Sequence, residues 1–363
     1  MTERVLTVRE LNRALLARQL LLERARLPVT RALERVGPLH AQGVESTYVN
    51  LWSRVEGFRR EDLTRALERR TIVRASLLRS TLHLTTAREY QLFKAAIREH
   101  RFHWWQRVTR RQHDEKTIAR AELALAEAAR RPRPWAELVD AVGGGHALAG
   151  AAAIRLGLVT APPAGVWGYH GKSDYVLAEA WLRRPAADPV EGLRSLVRRH
   201  LAAFGPATVG DLCFWAGLKK RDVAPALAEL ELRRFRDERG RLLLDLPRAP
   251  LPSAETPAPP RFLLRWDNLY MGHESGERDR IVPPAFRKQV YTVNTVMPAT
   301  FLVDGFVAGT WRFERGRIRL EPWRPLTKAE RSDLRDEAGN LAAFMSGDGR
   351  VADVRGRSQV VGG

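Results

Sequence analysis

The stretch Gly205-Pro-Ala-Thr-Val-Gly-Asp-Leu-Cys-Phe-Trp-Ala-Gly-Leu-Lys-Lys-Arg-Asp-Val-Ala-Pro-Ala-Leu-Ala-Glu-Leu230 predicts two short helices joined by a tight turn. Thr208 is a favourable helix N-cap, so the first helix is expected over residues 211–215. Gly217 supplies the turn, because glycine readily adopts the left-handed backbone that ends many helices. The second helix is expected over residues 219–230, with three cations in its first turn.

The segments on either side complete a supersecondary pattern. A helix through Leu201 precedes the stretch, and residues 234–246 predict a hairpin. Helices followed by a hairpin in this order are typical of a winged helix, whose recognition helix enters a DNA groove in many proteins. Lys219, Lys220 and Arg221 oppose the helix dipole, and binding to phosphate is one explanation for them. A solvated, charged helix end explains them equally well.

Two earlier regions predict the same motif. In residues 1–57, Thr7 and Glu10 form a capping-box pattern that opens the first of three short helices. In the next region, helices precede apolar runs at 158–160 and 166–169, which flank a Pro/Gly turn. We therefore predict a mainly α protein with β structure. Its tandem winged-helix (helix-turn-helix) domains are expected at 1–57, 58–187 with the hairpin, and 188–247.

The pattern changes after residues 247–260, a proline-rich segment that is typical of a linker. Beyond it apolar and polar residues alternate, and Asp304-Gly305 between two apolar runs is a strong hairpin signal. The pattern predicts a small antiparallel sheet or barrel, and we assign residues 261–346 to a C-terminal antiparallel β-barrel with a capping helix. Residues 347–363 are rich in glycine and are predicted to form a flexible tail.

The charge balance indicates a polyanionic partner. The 363 residues include 61 Lys and Arg against 42 Asp and Glu, a formal charge of +19, which favours nucleic acid. Cys213 is the only cysteine, so an intrachain disulfide and a thiolate metal site are excluded, and a reducing compartment is expected. His100 and His103 lack acidic or thiol ligands nearby that would complete a metal site. Without a secretion segment or a membrane-length apolar run, the protein is expected in the cytoplasm.

The segment Gly37-Pro-Leu-His-Ala-Gln-Gly43 lies between two predicted helices and carries candidate chemistry. If it is extended, its side chains alternate, so Leu39 and Ala41 turn inward while His40 and Gln42 share the outer face. An imidazole and a carboxamide together can hold a water molecule. The same spacing also suits a hydrogen-bonded loop end, so the pattern alone leaves both interpretations open.

Several blocks of the sequence resemble the winged-helix DNA glycosylases of the AlkZ and YcaQ type. They lie in order along nearly the whole chain: Leu39-His-Ala-Gln42, Leu51-Trp-Ser-Arg-Val-Glu-Gly-Phe58, Val73-Arg-Ala-Ser-Leu-Leu-Arg-Ser-Thr-Leu-His-Leu84, Leu264-Arg-Trp-Asp-Asn-Leu269 and Phe301-Leu-Val-Asp-Gly-Phe-Val-Ala-Gly-Thr-Trp311. The resemblance implies three tandem winged helices and a β-barrel arranged around DNA, with removal of alkylated bases. The family's catalytic pattern, Gln-x-Gln or Gln-x-Asp, falls here on His40-Ala41-Gln42, so the first Gln is replaced by His.

The resemblance and the charge lead to one main hypothesis. The protein is interpreted as a monofunctional DNA glycosylase that acts as a monomer on duplex DNA in the cytoplasm, associated with the nucleoid. It would hydrolyse the N-glycosidic bond of alkylated purines, and bulky adducts or interstrand crosslinks are left open as substrates. Gln42 would orient the water, and His40, with a reference pKa of about 6.5, would accept its proton near neutral pH. This reaction requires no metal or organic cofactor.

Other residues are assigned supporting roles. The candidates for DNA binding are Arg74, Arg79, His83, Lys219, Lys220 and Arg221. Asp267 and Asn268 are candidates for site support, and a buried Trp266 beside a hydrogen-bonded Asp267 is the structural interpretation of the same run. The main alternative for the chain is a non-enzymatic winged-helix DNA-binding protein or transcription regulator, which would tolerate changes at His40 and Gln42. A structural assembly without nucleic acid is disfavoured by the charge.

Overall fold

Helices and strands follow one another along the described chain, residues 3–291 and 297–347 of the computed structural model. This mixed α/β composition agrees with the predicted fold class in its coarse form. The predicted flexible tail lies outside the described residues except for Gly347. The first elements are β1 (Val5–Leu6), α1 (Val8–Arg18), α2 (Val29–Val36), β2 (Leu39–His40) and α3 (Val44–Trp52).

Capping residues begin two helices where the sequence predicts them. The Thr7 hydroxyl accepts a hydrogen bond from the Glu10 amide at 3.2 Å, and the Glu10 carboxylate accepts one from the Thr7 amide at 2.9 Å. Thr208 and Asp211 form the same reciprocal pair at a later helix. These bonds satisfy amides that a helix leaves unpaired, so the local sequence is sufficient to fix both helix starts.

The middle of the chain adds a long run of helices around a central sheet. Its elements are α4 (Arg60–Glu68), β3 (Ile72–Ser76), β4 (Leu82–Thr86), α5 (Ala87–Val108), α6 (Glu115–Ala128), β5 (Arg133–Pro134), α7 (Trp135–Val142), α8 (Gly145–Leu156), β6 (Leu158–Ala161), β7 (Asp174–Leu177) and α9 (Ala178–Leu182). The sheet is antiparallel, in the order β2-β4-β3-β6-β7-β5, with His40 opposite His83. It therefore spans the predicted boundary between residues 57 and 58.

One predicted hairpin is wrong in its second strand. β6 pairs with β7, with Val159 opposite Val176, whereas residues 166–169 lie in the connecting turns. The Trp167 amide donates to the Tyr48 hydroxyl at 3.1 Å, and the Arg60 guanidinium lies 3.9 Å from the Trp167 ring centroid. The apolar side chains of this connection are therefore used for packing against the N-terminal helices and not for strand pairing.

The third region has the predicted order of helices and hairpin. It contains α10 (Pro189–Phe204), α11 (Val209–Ala216), α12 (Lys220–Ala228), β8 (Arg233–Asp237) and β9 (Leu242–Asp245). A further strand joins the hairpin, because β1 pairs in parallel with β8 and places Val5 opposite Arg236. The N-terminal strand thus completes a sheet whose other strands lie far away in sequence.

The proline-rich segment 247–260 is docked against α1. Arg18 donates to the Pro250 carbonyl at 2.9 Å, and Arg13 donates to the Thr256 carbonyl at 2.6 Å. Both arginine side chains are buried, and a buried guanidinium requires acceptors. The segment predicted as a linker supplies these acceptors from its backbone, so it is part of the packed structure.

The C-terminal region forms an open sheet. Its elements are β10 (Arg261–Leu263), α13 (Asn268–Met271), α14 (Arg287–Val290), β11 (Thr300–Val303), β12 (Phe306–Glu314), β13 (Arg317–Pro322) and α15 (Lys328–Ser346). The strands pair antiparallel in the order β10-β11-β12-β13, so the described residues do not form the predicted closed barrel. Asp304 and Gly305 have φ of 49° and 81°, as the predicted tight hairpin requires. Alternation of side chains predicts strands, but four strands are too few to close around a core.

None of the helices within the described ranges is long and apolar enough to cross a lipid bilayer.

Candidate functional site

His40 ends the short strand β2, and strand pairing fixes the direction of its side chain. Leu39 and Ala41 are fully buried, as predicted, and His40 points to the other face. That face is also covered. His40 is only 4% exposed, because the rings of His83 and Trp266 lie 5.6 and 5.4 Å from its ring centroid. The run 266–268 was predicted to lie near the site or the barrel interface, but the sequence did not predict that His83 and Trp266 cover the imidazole.

Burial keeps the His40 imidazole neutral. Desolvation and, to a lesser extent, the positive charge of Arg79 lower the pKa of His40 from 6.5 to about 4. At neutral pH the ring is therefore uncharged and has one nitrogen that can accept a hydrogen bond. Its Nδ1 is buried without a hydrogen-bond partner among the described residues. The proton-accepting step expected near pH 6.5 is thus displaced to a lower pH.

His83 forms a wall of the site on the neighbouring strand β4. It is buried, and its Nδ1 lies 2.9 Å from the Thr81 carbonyl oxygen. A carbonyl can only accept, so Nδ1 carries the hydrogen when the ring is neutral. Desolvation, followed by the neighbouring His40, lowers the pKa of His83 to about 3. His83 was predicted to bind DNA, but its burial favours a role in holding the His40 ring.

Arg79 brings positive charge to the site from the turn between β3 and β4. Its backbone is left-handed, with a φ of 48°, and it packs against the turn at Gly217, where a Cβ atom would lie 3.2 Å from the Arg79 side chain. The Arg79 guanidinium lies 4.5 Å from the Phe214 ring centroid, and Arg278 approaches the same ring at 5.6 Å. Two arginines therefore share one aromatic ring near His40.

The three cations at the start of α12 follow directly from the Gly217 turn. Lys219, Lys220 and Arg221 are exposed. The Asp222 carboxylate accepts a hydrogen bond from the Lys219 amide at 3.0 Å, which offsets the unfavourable placement of cations at a helix N-terminus. These residues follow the Gly217 turn that Arg79 contacts, and none of them is in contact with the His40 ring.

Arg74 holds the backbone between His40 and Gln42. It is 8% exposed, and its Nε donates to the Ala41 carbonyl at 3.0 Å. A longer hydrogen bond, of 3.4 Å, reaches the Ser173 hydroxyl. Arg74 was predicted to contact DNA, and its burial favours this positioning role instead.

Gln42 lies at the surface, immediately before the N-cap residue of α3, Gly43. Because only a short segment separates β2 from α3, both flanking elements restrict the backbone of His40 and Gln42. His40 and Gln42, which were predicted to share one outer face, therefore differ in their exposure to solvent. The carboxamide of Gln42 is accessible, and the imidazole of His40 lies beneath its aromatic neighbours.

The run Trp266-Asp267-Asn268 ties the C-terminal region to the His40 segment. Asp267 and Arg54 form a fully buried, bidentate ion pair with distances of 2.6 and 2.9 Å. Asn268 donates to the Val36 carbonyl at 3.0 Å, at the end of the helix that leads into β2. Trp266 has a left-handed φ of 56° and packs on the imidazole. Asp267 and Asn268 are therefore buried, whereas Trp266 is only partly buried, which differs from the structural interpretation, and the run also borders the site.

Asn50 is a residue near the site that the sequence did not single out. It is fully buried, and both polar atoms of its carboxamide lack a hydrogen-bond partner in the described part of the chain. The backbone carbonyl of Asn50 accepts a hydrogen bond from Arg54 at 3.0 Å, which places Asn50 beside the Arg54–Asp267 pair. A buried amide without partners is rare in folded proteins. No local sequence pattern reveals the buried position of Asn50. The contact between Arg278 and Phe214 is likewise not visible in the local sequence.

His100 and His103, which are close in sequence, do not form the core of a metal site. The Nδ1 of His100 lies 3.6 Å from an Asp222 carboxylate oxygen. Over residues 3–291 and 297–347, no group of three or more His, Cys, Asp or Glu side chains is arranged to hold a metal ion.

Both the sequence and the fold have known relatives. Residues 33–344 match the family model of the AlkZ-like DNA glycosylases. The structure is similar to that of Streptomyces sahachiroi DNA glycosylase AlkZ, with a TM-score of 0.80, covering 95% of this chain and 98% of that chain at 17% sequence identity. No curated protein matches the sequence. Because the family match covers most of the chain, this protein belongs to the AlkZ-like family of DNA glycosylases.

Proposed function

We propose that this protein is a DNA repair glycosylase that acts as a monomer on duplex DNA and hydrolyses the N-glycosidic bond of alkylated purines. The observation that carries the proposal is the neutral His40 imidazole with the exposed Gln42 carboxamide two residues away. Membership of the family supports the reaction class. The position of this pair in the family's catalytic pattern supports the choice of residues.

The chemistry places modest demands on the protein. Alkylation at a ring nitrogen makes the purine a cationic leaving group, so the C1′–N bond breaks and its electron pair returns to the base. The enzyme must then place a water at C1′ and accommodate the developing sugar cation. Gln42 and His40 orient the water by hydrogen bonds, and the water proton passes to solvent as the new C1′–O bond forms.

The low pKa of His40 defines its part in this reaction. A group with a pKa of about 4 is a weak base at neutral pH, so His40 contributes chiefly as a hydrogen-bond acceptor that orients water. A glutamine carboxamide can accept a hydrogen bond in the same way. The His that replaces the first Gln of the family pattern can therefore fill the same role, which is to accept a hydrogen bond from the water.

The rate of base release is expected to report the protonation of His40. The pKa of His40 is lowered, so the ring is neutral above about pH 4 and loses its acceptor nitrogen as the pH falls through that value. We expect a rate that is constant from neutral pH down to about pH 5 and falls below it. The measurement is a pH profile of excision, corrected for spontaneous base loss. His40→Gln should lack this fall, and a wild-type break near pH 6.5 would contradict the effect of burial.

The helices α10, α11 and α12 with the β8–β9 hairpin are proposed to act as one of the tandem winged helices, with α12 directed at DNA. The formal charge of +19 supports an anionic partner, and the exposed cations at the start of α12 follow the Gly217 turn that Arg79 contacts. Arg79 and Arg278 are then suited to a phosphate flanking the damaged nucleotide. Cations bound to phosphate would hold the DNA backbone while the exposed Gln42 carboxamide is directed at the sugar.

DNA affinity is expected to fall steeply with salt, and α12 is expected to contribute. The slope of log K against log salt is about −0.9 per neutralised phosphate. Replacing Lys219, Lys220 and Arg221 together by alanine should make this slope less steep by about one to three units. The matched control replaces the exposed cations of α15, namely Lys328, Arg331 and Arg335, and removes the same charge. Equal slopes for both triple variants would remove α12 from the DNA interface.

The decisive test of the proposed function is release of free base. Duplex DNA that carries one methylated purine is incubated with the protein, and the free base and the abasic site are quantified separately. The proposal expects both products in equal amounts, because each hydrolysis releases one base and leaves one abasic site in an intact strand. Absence of base release alongside tight binding to undamaged DNA would favour the non-enzymatic regulator.

A further inference from the structure

A cavity of about 260 Å³ lies behind the β3–β4 turn, between the central sheet and the helices α5, α7 and α8. Three aromatic rings and one arginine dominate its lining. The residues used below are Trp105, Trp135, Tyr175, Arg101, Ser76 and Ser80. None of them has a part in the site around His40 as described above.

The aromatic walls of the cavity are fixed in place. Trp105 donates from its indole nitrogen to the Ala147 carbonyl at 2.9 Å. Gly150 allows this ring to approach α8, since a Cβ atom there would lie 2.4 Å from the ring. On the other side Trp135 and Tyr175 pack edge to face with centroids 5.8 Å apart. Rigid aromatic surfaces of this kind suit a planar ring as the occupant.

Arg101 supplies the polar end. It is buried, and it donates to the Ser76 carbonyl at 3.1 Å, to the Ser76 hydroxyl at 2.7 Å and to the Ser80 hydroxyl at 3.4 Å. A guanidinium has five N–H groups, so these three bonds hold it without using all of its donors. The occupant should therefore carry hydrogen-bond acceptors on the edge of its ring.

The cavity shares a turn with the His40 site. Arg79 and Ser80 are consecutive, and both have left-handed backbone, with φ of 48° and 60°. Arg79 packs on Phe214 and lowers the pKa of His40, whereas Ser80 lines the cavity. A single strained turn thus separates the two sites, which places an occupant of the cavity close to a nucleotide at His40.

The chain around Trp105 carries exposed cations and an exposed aromatic ring. Trp105 lies on α5, and the residues that follow it include exposed Arg107, Arg110 and Arg111. Trp104 on the same helix is 40% exposed. Exposed cations interleaved with aromatic rings are typical of proteins that bind unpaired nucleic acid, in which phosphates contact the cations and bases stack on the rings.

We propose that this cavity binds a nucleobase that has been unstacked from the DNA near the lesion. The base ring lies between Trp105 and the Trp135–Tyr175 pair, and its acceptor edge faces Arg101. The inference rests on the proposed function for its substrate class. Enzymes that act on a base within a duplex must unstack that base. If a neighbouring base is unstacked as well, it requires a partner that replaces its lost stacking. The cavity offers that stacking beside the reacting nucleotide.

The test compares the binding of two duplexes by fluorescence anisotropy. One duplex is fully paired and the other carries a single unpaired base, and neither is alkylated. Stacking of one base in the cavity should make the bulged duplex bind about tenfold more tightly. Ala153→Phe fills the cavity and should abolish this preference without changing the affinity for paired duplex. The matched control is Ala136→Phe, at an exposed position on α7, which should keep the preference.

A second variant keeps the test decisive if Ala153→Phe does not fold. Trp135→Leu removes one stacking wall and should also reduce the preference. A wild type without preference, or a preference retained in both cavity variants, overturns the cavity as a base site. Binding of free nucleosides without preference for the bulged duplex overturns DNA as the source of the occupant. Excision by the wild type is measured separately, so failure of this inference is distinct from failure of the glycosylase proposal.

Discussion

Gln42→Ala is expected to slow the release of an alkylated purine by about 10²- to 10⁴-fold, the range typical of lost groups that assist proton transfer. Gln42 is exposed, so truncation costs little packing, and folding and DNA affinity should stay close to wild type. Single-turnover excision with saturating enzyme measures this effect, because it separates chemistry from binding and product release. The matched control is Gln112→Ala, the same truncation at an exposed position on another segment.

Changes at His40 complete this test. His40→Ala removes a buried ring from contact with His83 and Trp266, so a loss of stability accompanies the loss of rate. His40→Gln is the sharper variant, because the new carboxamide can still orient water and should keep part of the activity. The assignment predicts that the His40→Ala, Gln42→Ala double variant is at least as slow as the slower single variant. Excision by the double variant at the wild-type rate would rule out the mechanism.

Local sequence signals are sufficient for most of the helices and for the late hairpin. Thr7 with Glu10 begins α1, and Asp304-Gly305 makes the turn between β11 and β12. In each case the information lies within a few residues, because a cap or a tight turn is satisfied by its immediate neighbours. The alternation of Leu39, His40 and Ala41 was predictable for the same reason.

Contacts between distant segments were not predictable in this way. The cover of His40 by Trp266 depends on a turn that is far away in sequence, and it changes the protonation behaviour of the imidazole. The burial of Arg74 likewise depends on the Ala41 carbonyl across the sheet. An arginine in a sequence predicts a cation, but only the fold decides whether that cation meets a phosphate or a backbone carbonyl. Barrel closure is not found in the described residues, and strand patterns alone do not specify whether the edge strands of a sheet pair with each other.

The buried pair of Arg54 and Asp267 is expected to give the largest stability effect of a single substitution. Both side chains are fully buried, with distances of 2.6 and 2.9 Å, and Asp267 also accepts from the Leu269 amide at 2.9 Å. Asp267→Ala leaves an uncompensated guanidinium in the interior, which typically costs about 3–5 kcal/mol. This is a large part of the roughly 5–15 kcal/mol that stabilises an ordinary domain. Urea denaturation measures the change.

The control and the rescue separate the unpaired charge from the lost contact. Glu56→Ala breaks the exposed ion pair with Arg26 and should change the unfolding free energy little, because solvent screens that pair. Replacing both buried partners, as Arg54→Met with Asp267→Leu, removes the charge as well and should recover much of the loss. If Asp267→Ala were no more harmful than Glu56→Ala, the pair would not hold the C-terminal region in place. If the Arg54→Met, Asp267→Leu variant still excises base, the ion pair contributes to stability and not to the chemistry. Trp266 would then cover His40 without the ion pair beside it.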